Sequence, residues 1–150
     1  MADFEFKSKP ISFQQGWVPN TSGSVIGEHQ YKPDRSFKDE NGDVVCVIES
    51  TSTNDRKVGV GELCLADKFF ADSGVSGILL FSLCGKSKHP PSPSTQAQYL
   101  EPYFRHLKSI EHPHGVKEVY FISEEDFESL NWVALDASFV AKAKVLKVSQ

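Results

Sequence analysis

Residues 33–70 read PDRSFKDENGDVVCVIESTSTNDRKVGVGELCLADKFF and decide the fold of this chain. Lys32, just before this segment, is expected to have an extended backbone, because the residue before a proline is biased away from the helical region. Asn41-Gly42 is a dipeptide that two-residue hairpin loops prefer, and Val44 to Ile48 is a continuous apolar run rich in β-branched residues. We therefore predict a β-hairpin whose second strand is buried on both faces and delivers Glu49 at its end.

A helix is predicted after this hairpin. From about residue 61 to residue 70 the apolar positions change to helical spacing. Gly74 suits the left-handed backbone conformation in which many helices end. The predicted helix carries Asp67 and Lys68, which brings a lysine into the same segment as the hairpin.

The remaining elements are predicted from the same kinds of signal. A lead-in of short strands or irregular chain fits residues 1–32 better than a helix, and residues 132–148 fit a strand pair and a helix equally well. Between them the pattern predicts strands over 78–83 and 116–122, a helix over 95–107 and a helix that starts at 123–126. The order βββαβαβ with later additions predicts one mixed α/β (α+β) domain over residues 1–150, with a central mixed β-sheet flanked by helices.

Composition limits the classes of function. A chain of 150 residues that is 39% hydrophobic can bury one core but is short for two ordinary domains. Its formal net charge of -4 argues against binding nucleic acid or an anionic membrane by bulk charge, although a local basic groove stays open. Because no apolar run approaches the length of a membrane span and the first residues lack an apolar signal core, we expect an intracellular protein, cytoplasmic or nuclear, with no membrane partner.

The three cysteines, Cys46, Cys64 and Cys84, lie in apolar runs and include no closely spaced pair. We expect buried free thiols, since an unpaired cysteine packs as a small hydrophobic residue. A zinc site built from them and His89 is not favoured, because structural zinc sites normally use closely spaced pairs of ligands.

Asp34 and Glu49 are the residues from which we predict chemistry. Hydrolysis of a phosphodiester needs a cation that neutralises developing charge and lowers the pKa of an attacking water. Mg²⁺ and Mn²⁺ prefer carboxylate, carbonyl and water oxygens. A hairpin readily closes the separation between Asp34 and Glu49, so we expect Mg²⁺ or Mn²⁺ to be held by these two carboxylates and by the main-chain carbonyl of Ser50. A nearby lysine would orient the water or stabilise the developing charge.

This arrangement resembles the PD-(D/E)xK nuclease superfamily, in which a Pro-Asp pair is followed, after a hairpin, by a strand ending in Asp or Glu, a spacer and Lys. Pro33-Asp34 and Glu49 match this pattern, whereas Thr51 stands where the lysine belongs. Within the superfamily the chain is most similar to the Uma2 family of predicted endonucleases, which carries a lysine on the helix after a Ser/Thr-rich loop. The matching positions are residues 33–34, 47–53, 67–71 and 74–75, followed by the apolar strand at 78–81.

The resemblance implies a restriction-endonuclease-like core and a metal-dependent endonuclease that acts on nucleic acid, with DNA as the expected substrate. Asp34 and Glu49 would hold the cation, and Lys68 would assist the attacking water; Lys57 is the second candidate for the displaced lysine. Glu28 and His29 could add a ligand or a base, although a solvated turn is the simpler interpretation. A homodimer could assemble the DNA groove from two chains.

A second class of function stays open from the sequence. Because Thr51 replaces the usual lysine, the same fold could have lost catalysis. It would then serve as a module that binds nucleic acid or a protein partner.

Overall fold

A six-stranded mixed β-sheet with helices on both faces forms the centre of the computed structural model, which describes residues 3–110 and 112–148. The helices are α1 (Asp3–Lys7), α2 (Arg56–Ser73), α3 (Pro93–Ser109), α4 (Glu124–Ser129) and α5 (Ala137–Lys142). The strands are β1 (Ser12–Phe13), β2 (Val18–Pro19), β3 (Arg35–Lys38), β4 (Val44–Thr51), β5 (Ser76–Leu83), β6 (Gly115–Ser123), β7 (Val133–Ala134) and β8 (Lys144–Lys147).

The strand order in the main sheet is β2-β3-β4-β5-β6-β8. β3 and β4 form the predicted antiparallel hairpin, while β4, β5 and β6 run parallel to one another and are connected through α2 and α3. β8 closes the far edge antiparallel to β6, and β1 and β7 form a separate two-stranded sheet. The predicted mixed α/β class with a central mixed sheet flanked by helices is confirmed.

The two faces of β4 belong to two different cores. Val47 packs beneath α2 and α3, whereas Cys46 and Ile48 pack on the opposite face with side chains of α1, α4 and α5. Burial on both sides explains why the strand sequence is continuously apolar, since each fully buried large aliphatic side chain contributes about 1.5–3 kcal/mol. Alternation places Glu49 on the same face as Val47, beneath α2.

Helix α2 ends at the glycine that the sequence indicated but begins before the predicted start. The Asp55 carboxylate accepts a hydrogen bond of 3.0 Å from the main-chain amide of Lys57 and so caps the first turn at Arg56. Arg56 and Lys57, which open that turn, are charged and exposed, so apolar spacing becomes recognisable only further along the helix. At the other end, Gly74 adopts a φ of 70°, which favours glycine.

Three regions differ from the predictions. Residues 3–7 form α1 rather than a strand or irregular chain, and Phe6 of this helix is fully buried against Trp132. Residues 132–148 form neither a simple strand pair nor one helix but β7, α5 and β8 in succession. Cys64 is exposed on α2, whereas Cys46 and Cys84 are buried as expected. The apolar neighbours of Cys64 suggested burial, but α2 turns this position away from the sheet.

None of the helices in the described ranges combines the length and the apolar composition needed to cross a membrane.

Candidate functional site

Asp34 and Glu49 lie side by side, as the hairpin predicted. The register pairs Arg35 with Ile48, which leaves Asp34, just before β3, beside Glu49 near the end of β4. The main-chain amide of Asp34 donates to Oε1 of Glu49 at 3.0 Å, and the amide of Ser50 donates to Oδ2 of Asp34 at 2.8 Å. Glu49 is buried, with 7% of its surface exposed, so its orientation is fixed by the sheet.

Tyr31 completes this group from the loop that precedes β3. Its hydroxyl donates a hydrogen bond of 3.2 Å to Oε2 of Glu49, and its side chain is buried. Burial raises the pKa of the Tyr31 phenol well above its ordinary value, and the negative charge and hydrogen bond of Glu49 raise it further, followed by the charges of Glu62 and Asp34. Tyr31 therefore stays a neutral donor, and three carboxylates make its surroundings strongly negative.

Tyr31 and Glu62 were missed in the sequence, although Glu62 had a signal. It lies three residues after Gly59 and four before Ala66, both of which are buried, so it falls on the face of α2 that meets the sheet. Tyr31 had no comparable signal, because its contact with Glu49 depends on how the loop before β3 folds back.

Ser50 contributes its main chain to the carboxylate pair and its side chain to the opposite face of the sheet. While its amide holds Asp34, its hydroxyl donates a hydrogen bond of 2.7 Å to Oε1 of Glu124, the first residue of α4. Burial raises the pKa of Glu124, and the Ser50 hydrogen bond partly offsets that rise. Ser50 thus connects polar groups on the two faces of the sheet.

Lys68 lies on the outer surface of α2. Its ammonium is 2.9 Å from Oδ2 of Asp72, and its side chain is 63% exposed; Nε2 of His29 is 3.6 Å from the same Asp72 oxygen. Lys68 is one and two-thirds turns beyond Glu62, a rise of about 9 Å along the helix axis. The structure therefore gathers Lys68 and His29 around Asp72.

The other two candidates from the sequence, Glu28 and Lys57, are exposed. Glu28 lines a cavity beside α2, whereas Lys57 lies in the first turn of α2 and donates its main-chain amide to the Asp55 cap.

A cavity of about 470 Å³ lies between the 26–31 loop and the outer surface of α2. Four of its lining side chains are apolar or aromatic, namely Ile26, Tyr31, Leu65 and Phe69. Exposed polar side chains form its rim, among them Glu28, His29, Lys68 and Asp72. Because Tyr31 lines this cavity while its hydroxyl contacts Glu49, the cavity and the carboxylate pair share one residue.

The oxygen donors of Asp34 and Glu49 suit a hard cation. Across residues 3–110 and 112–148, no group of three or more His, Cys, Asp or Glu side chains is arranged to hold a metal ion. A two-carboxylate site still fits Mg²⁺, which commonly uses one or two protein carboxylates and completes its shell with water and substrate phosphate oxygens. It does not fit a structural zinc centre, which needs four closely placed protein ligands.

Comparisons of the chain with protein-family profiles, with curated proteins and with solved structures found no match.

Proposed function

We propose that this chain is a divalent-metal-dependent nuclease that hydrolyses phosphodiester bonds, with DNA as the expected substrate. The observation that supports the proposal is the joining of Asp34 and Glu49 through the main-chain amides of Asp34 and Ser50. Oxygen ligands held in this way before a cation arrives lose little freedom when they bind it. The proposal includes the resemblance of residues 33–70 to the PD-(D/E)xK superfamily and its Uma2 family, and with it a restriction-endonuclease-like core.

The proposed roles follow from the contacts. Asp34 and Glu49 would hold the cation together with the Ser50 carbonyl, and Tyr31 would keep Oε2 of Glu49 in place. When bound, Mg²⁺ or Mn²⁺ supplies charge that stabilises the phosphate and lowers the pKa of an attacking water. The carboxylates of the site repel a phosphodiester, so substrate binding would depend on the cation.

We assign to Lys68 the role of assisting the attacking water, even though its ammonium is paired with Asp72. That pair is exposed, and exposed ion pairs contribute only about 0–1 kcal/mol. A substrate phosphate therefore competes easily for the Lys68 ammonium. Lys57 is the alternative, on the same helix.

A binding module without catalysis is the second candidate. It is favoured by Thr51, which occupies the strand position where nucleases of that superfamily carry lysine, and by the ion pair that already engages Lys68 with Asp72. Such a module would keep the fold and bind nucleic acid or a protein partner.

The test compares cleavage of plasmid DNA by the wild-type chain with cleavage by Asp34→Ala and Glu49→Ala variants, each in Mg²⁺, in Mn²⁺ and in a chelator. Glu40→Ala, a change in the exposed hairpin turn, is the control. We expect cleavage by the wild type and the control only, and only with metal. Because Glu49 is buried, circular dichroism must show that each variant is folded.

Titration with Mn²⁺ separates the two candidates. Binding of Mn²⁺ that depends on Asp34, without cleavage, would favour the binding module. If Mn²⁺ does not bind the folded wild-type chain, the metal site itself is refuted.

A further inference from the structure

The cavity between the 26–31 loop and α2 has the size of a ligand site. Its volume of about 470 Å³ lies inside the range of roughly 300–1,000 Å³ that is usual for pockets that bind small molecules. Apolar and aromatic side chains line it, and polar side chains surround the opening. This combination suits a flat, largely apolar group with polar edges.

Packing fixes the aromatic wall of the cavity before any ligand binds. The rings of Tyr31 and Phe69 lie 6.2 Å apart, and Phe69 packs in turn on Phe70 at 5.2 Å. Gly27 makes this possible, because a Cβ at its position would lie 2.9 Å from the Phe69 ring and its φ of 70° strains any other residue. A ligand would therefore meet a preformed surface.

The charges around the opening exclude a simple anion site. Lys68 and His29 both lie against Asp72, and Glu28 adds a further negative charge. With the carboxylates of Glu28 and Asp72 beside Lys68, the opening has no excess of positive charge that would hold an isolated phosphate. A neutral planar ring, which stacks on aromatic side chains, meets no such opposition.

We propose that this cavity binds one unpaired base of the nucleic-acid substrate. This inference rests on the proposed nuclease function and assigns its substrate class. Tyr31 links the two sites, because it lines the cavity while its hydroxyl donates a hydrogen bond to Glu49. A base in the cavity brings the sugar-phosphate chain attached to it toward Asp34 and Glu49.

The preference for unpaired nucleic acid follows from geometry. A base within a duplex is stacked and paired, and an enzyme can take it into a pocket only by extruding it, at a cost in free energy. A single strand or an extrahelical base avoids most of that cost. Because DNA and RNA bases share this chemistry, the test includes both.

Binding is measured in Mg²⁺, because the proposed site needs the cation to hold a phosphate chain, and the probes carry nuclease-resistant phosphorothioate linkages so that cleavage cannot consume them. The probes are short labelled oligonucleotides of DNA and of RNA, as a single strand, as a duplex and as a duplex with one unpaired base, followed by fluorescence anisotropy. The variants are Leu65→Glu, which places a charge inside the cavity, and Val58→Glu, on the same helix but outside the lining; the two native residues are 51% and 40% exposed.

We expect the single strand and the unpaired base to bind at least about tenfold more tightly than the intact duplex. Leu65→Glu should weaken that binding by about tenfold or more, while Val58→Glu changes it by less than about twofold. The inference is overturned if duplex binds as well as single strand, if the two variants behave alike, or if no oligonucleotide binds.

Cys64 reports on the cavity directly. It is exposed and lines the cavity, whereas Cys46 and Cys84 are buried, so a thiol-alkylating reagent should modify Cys64 first. Saturating single strand should slow this modification and duplex should not; Cys64→Ser identifies the labelled site. Cleavage of DNA without protection of Cys64 overturns the cavity inference alone. Protection of Cys64 without any metal-dependent cleavage overturns the nuclease and leaves base binding standing.

Discussion

Asp34 and Glu49 are joined by a hydrogen bond of 3.0 Å, in which the main-chain amide of Asp34 donates to Oε1 of the buried Glu49 carboxylate. The neighbouring amide of Ser50 returns a bond of 2.8 Å to Oδ2 of Asp34. Bonds from amides to charged carboxylates are among the stronger hydrogen bonds in proteins. The two side chains are therefore held at a fixed separation by the hairpin, independently of any ligand.

We predict that Mg²⁺ and Mn²⁺ stabilise the chain by binding between these carboxylates. A ligand that binds only the folded state at a hundred times its dissociation constant adds about 2.7 kcal/mol to the free energy of unfolding. Thermal or denaturant unfolding with and without metal measures this gain. Asp34→Asn should abolish it, whereas Glu40→Gln in the exposed turn should retain it. An equal gain in both variants would mean that the metal binds elsewhere.

Replacing Tyr31 with phenylalanine should destabilise the chain by about 1.5–3 kcal/mol at neutral pH, because a hydrogen bond to the buried carboxylate of Glu49 is lost while the ring is kept. Chemical unfolding measures the change. Tyr103→Phe, at a side chain that is 40% exposed, is the control and should have little effect.

The same variant should alter the response to alkali. The pKa of the Tyr31 phenol is raised above its ordinary value of 10.0, so above that pH the unfolded chain loses this proton while the folded chain keeps it. The contribution of this proton to the free energy of unfolding is present below pH 10.0 and is lost as the pH rises further. Tyr31→Phe removes this contribution, so the free energy of unfolding should fall less steeply above pH 10.0 in this variant. An equally steep fall would contradict the environment assigned to Tyr31.

Local signals predicted most of the elements that position the site. Asn41-Gly42 and the apolar run of β4 define the hairpin, and the hairpin register is enough to bring Asp34 beside Glu49. Gly74 likewise marks the end of α2 from its own conformational preference. These features depend on residues close together in the chain, so sequence patterns identify them.

Contacts between distant segments could not be predicted in this way. Asp67 and Lys68 are adjacent in sequence, yet Asp67 is buried and accepts hydrogen bonds from Lys108 at 2.6 Å and from the Val116 amide at 2.8 Å, while Lys68 faces solvent. The approach of Tyr31 to Glu49 likewise depends on the path of a loop. Such partners become visible only when the packing is known.

The role of Lys68 is predicted to appear in the rate of cleavage. Lys68→Ala should lower the rate at saturating metal by about 10²-fold or more if this ammonium stabilises charge in the transition state. Asp72→Asn, which releases Lys68 from its partner, should not lower it. Folding should be almost unaffected, because the exposed pair contributes at most about 1 kcal/mol.

Lys57→Ala is the companion variant for this experiment. It lies on the same helix in an exposed turn, so it tests the other candidate without disturbing the core. A normal rate in Lys68→Ala together with a large loss in Lys57→Ala would transfer the role to Lys57. Normal rates in both would remove the lysine from the mechanism.

Glu124 gives a prediction for the opposite face of the sheet. Burial raises the pKa of this carboxyl, so between its ordinary value of 4.5 and its higher value in the folded state the folded chain binds more protons than the unfolded chain. The contribution of this proton to the free energy of unfolding is therefore fully present below pH 4.5 and is lost as the pH rises through that window. Glu124→Gln cannot ionise and can still accept the Ser50 hydrogen bond, so it should be more stable than the wild type at neutral pH.

Glu125→Gln is the matched control, because Glu125 lies in the same first turn of α4 but is exposed. Both substitutions remove one negative charge from the amino end of the helix, where such charge is favourable, so this effect cancels in the comparison. The free energy of unfolding, measured from acidic to neutral pH, should fall less with rising pH in Glu124→Gln than in the wild type, whereas Glu125→Gln should follow the wild type. If both variants follow the wild-type curve, the charged form of Glu124 carries no penalty in the folded chain. The Ser50 hydrogen bond would then fully offset the cost of burial, and the raised pKa assigned to Glu124 would be wrong.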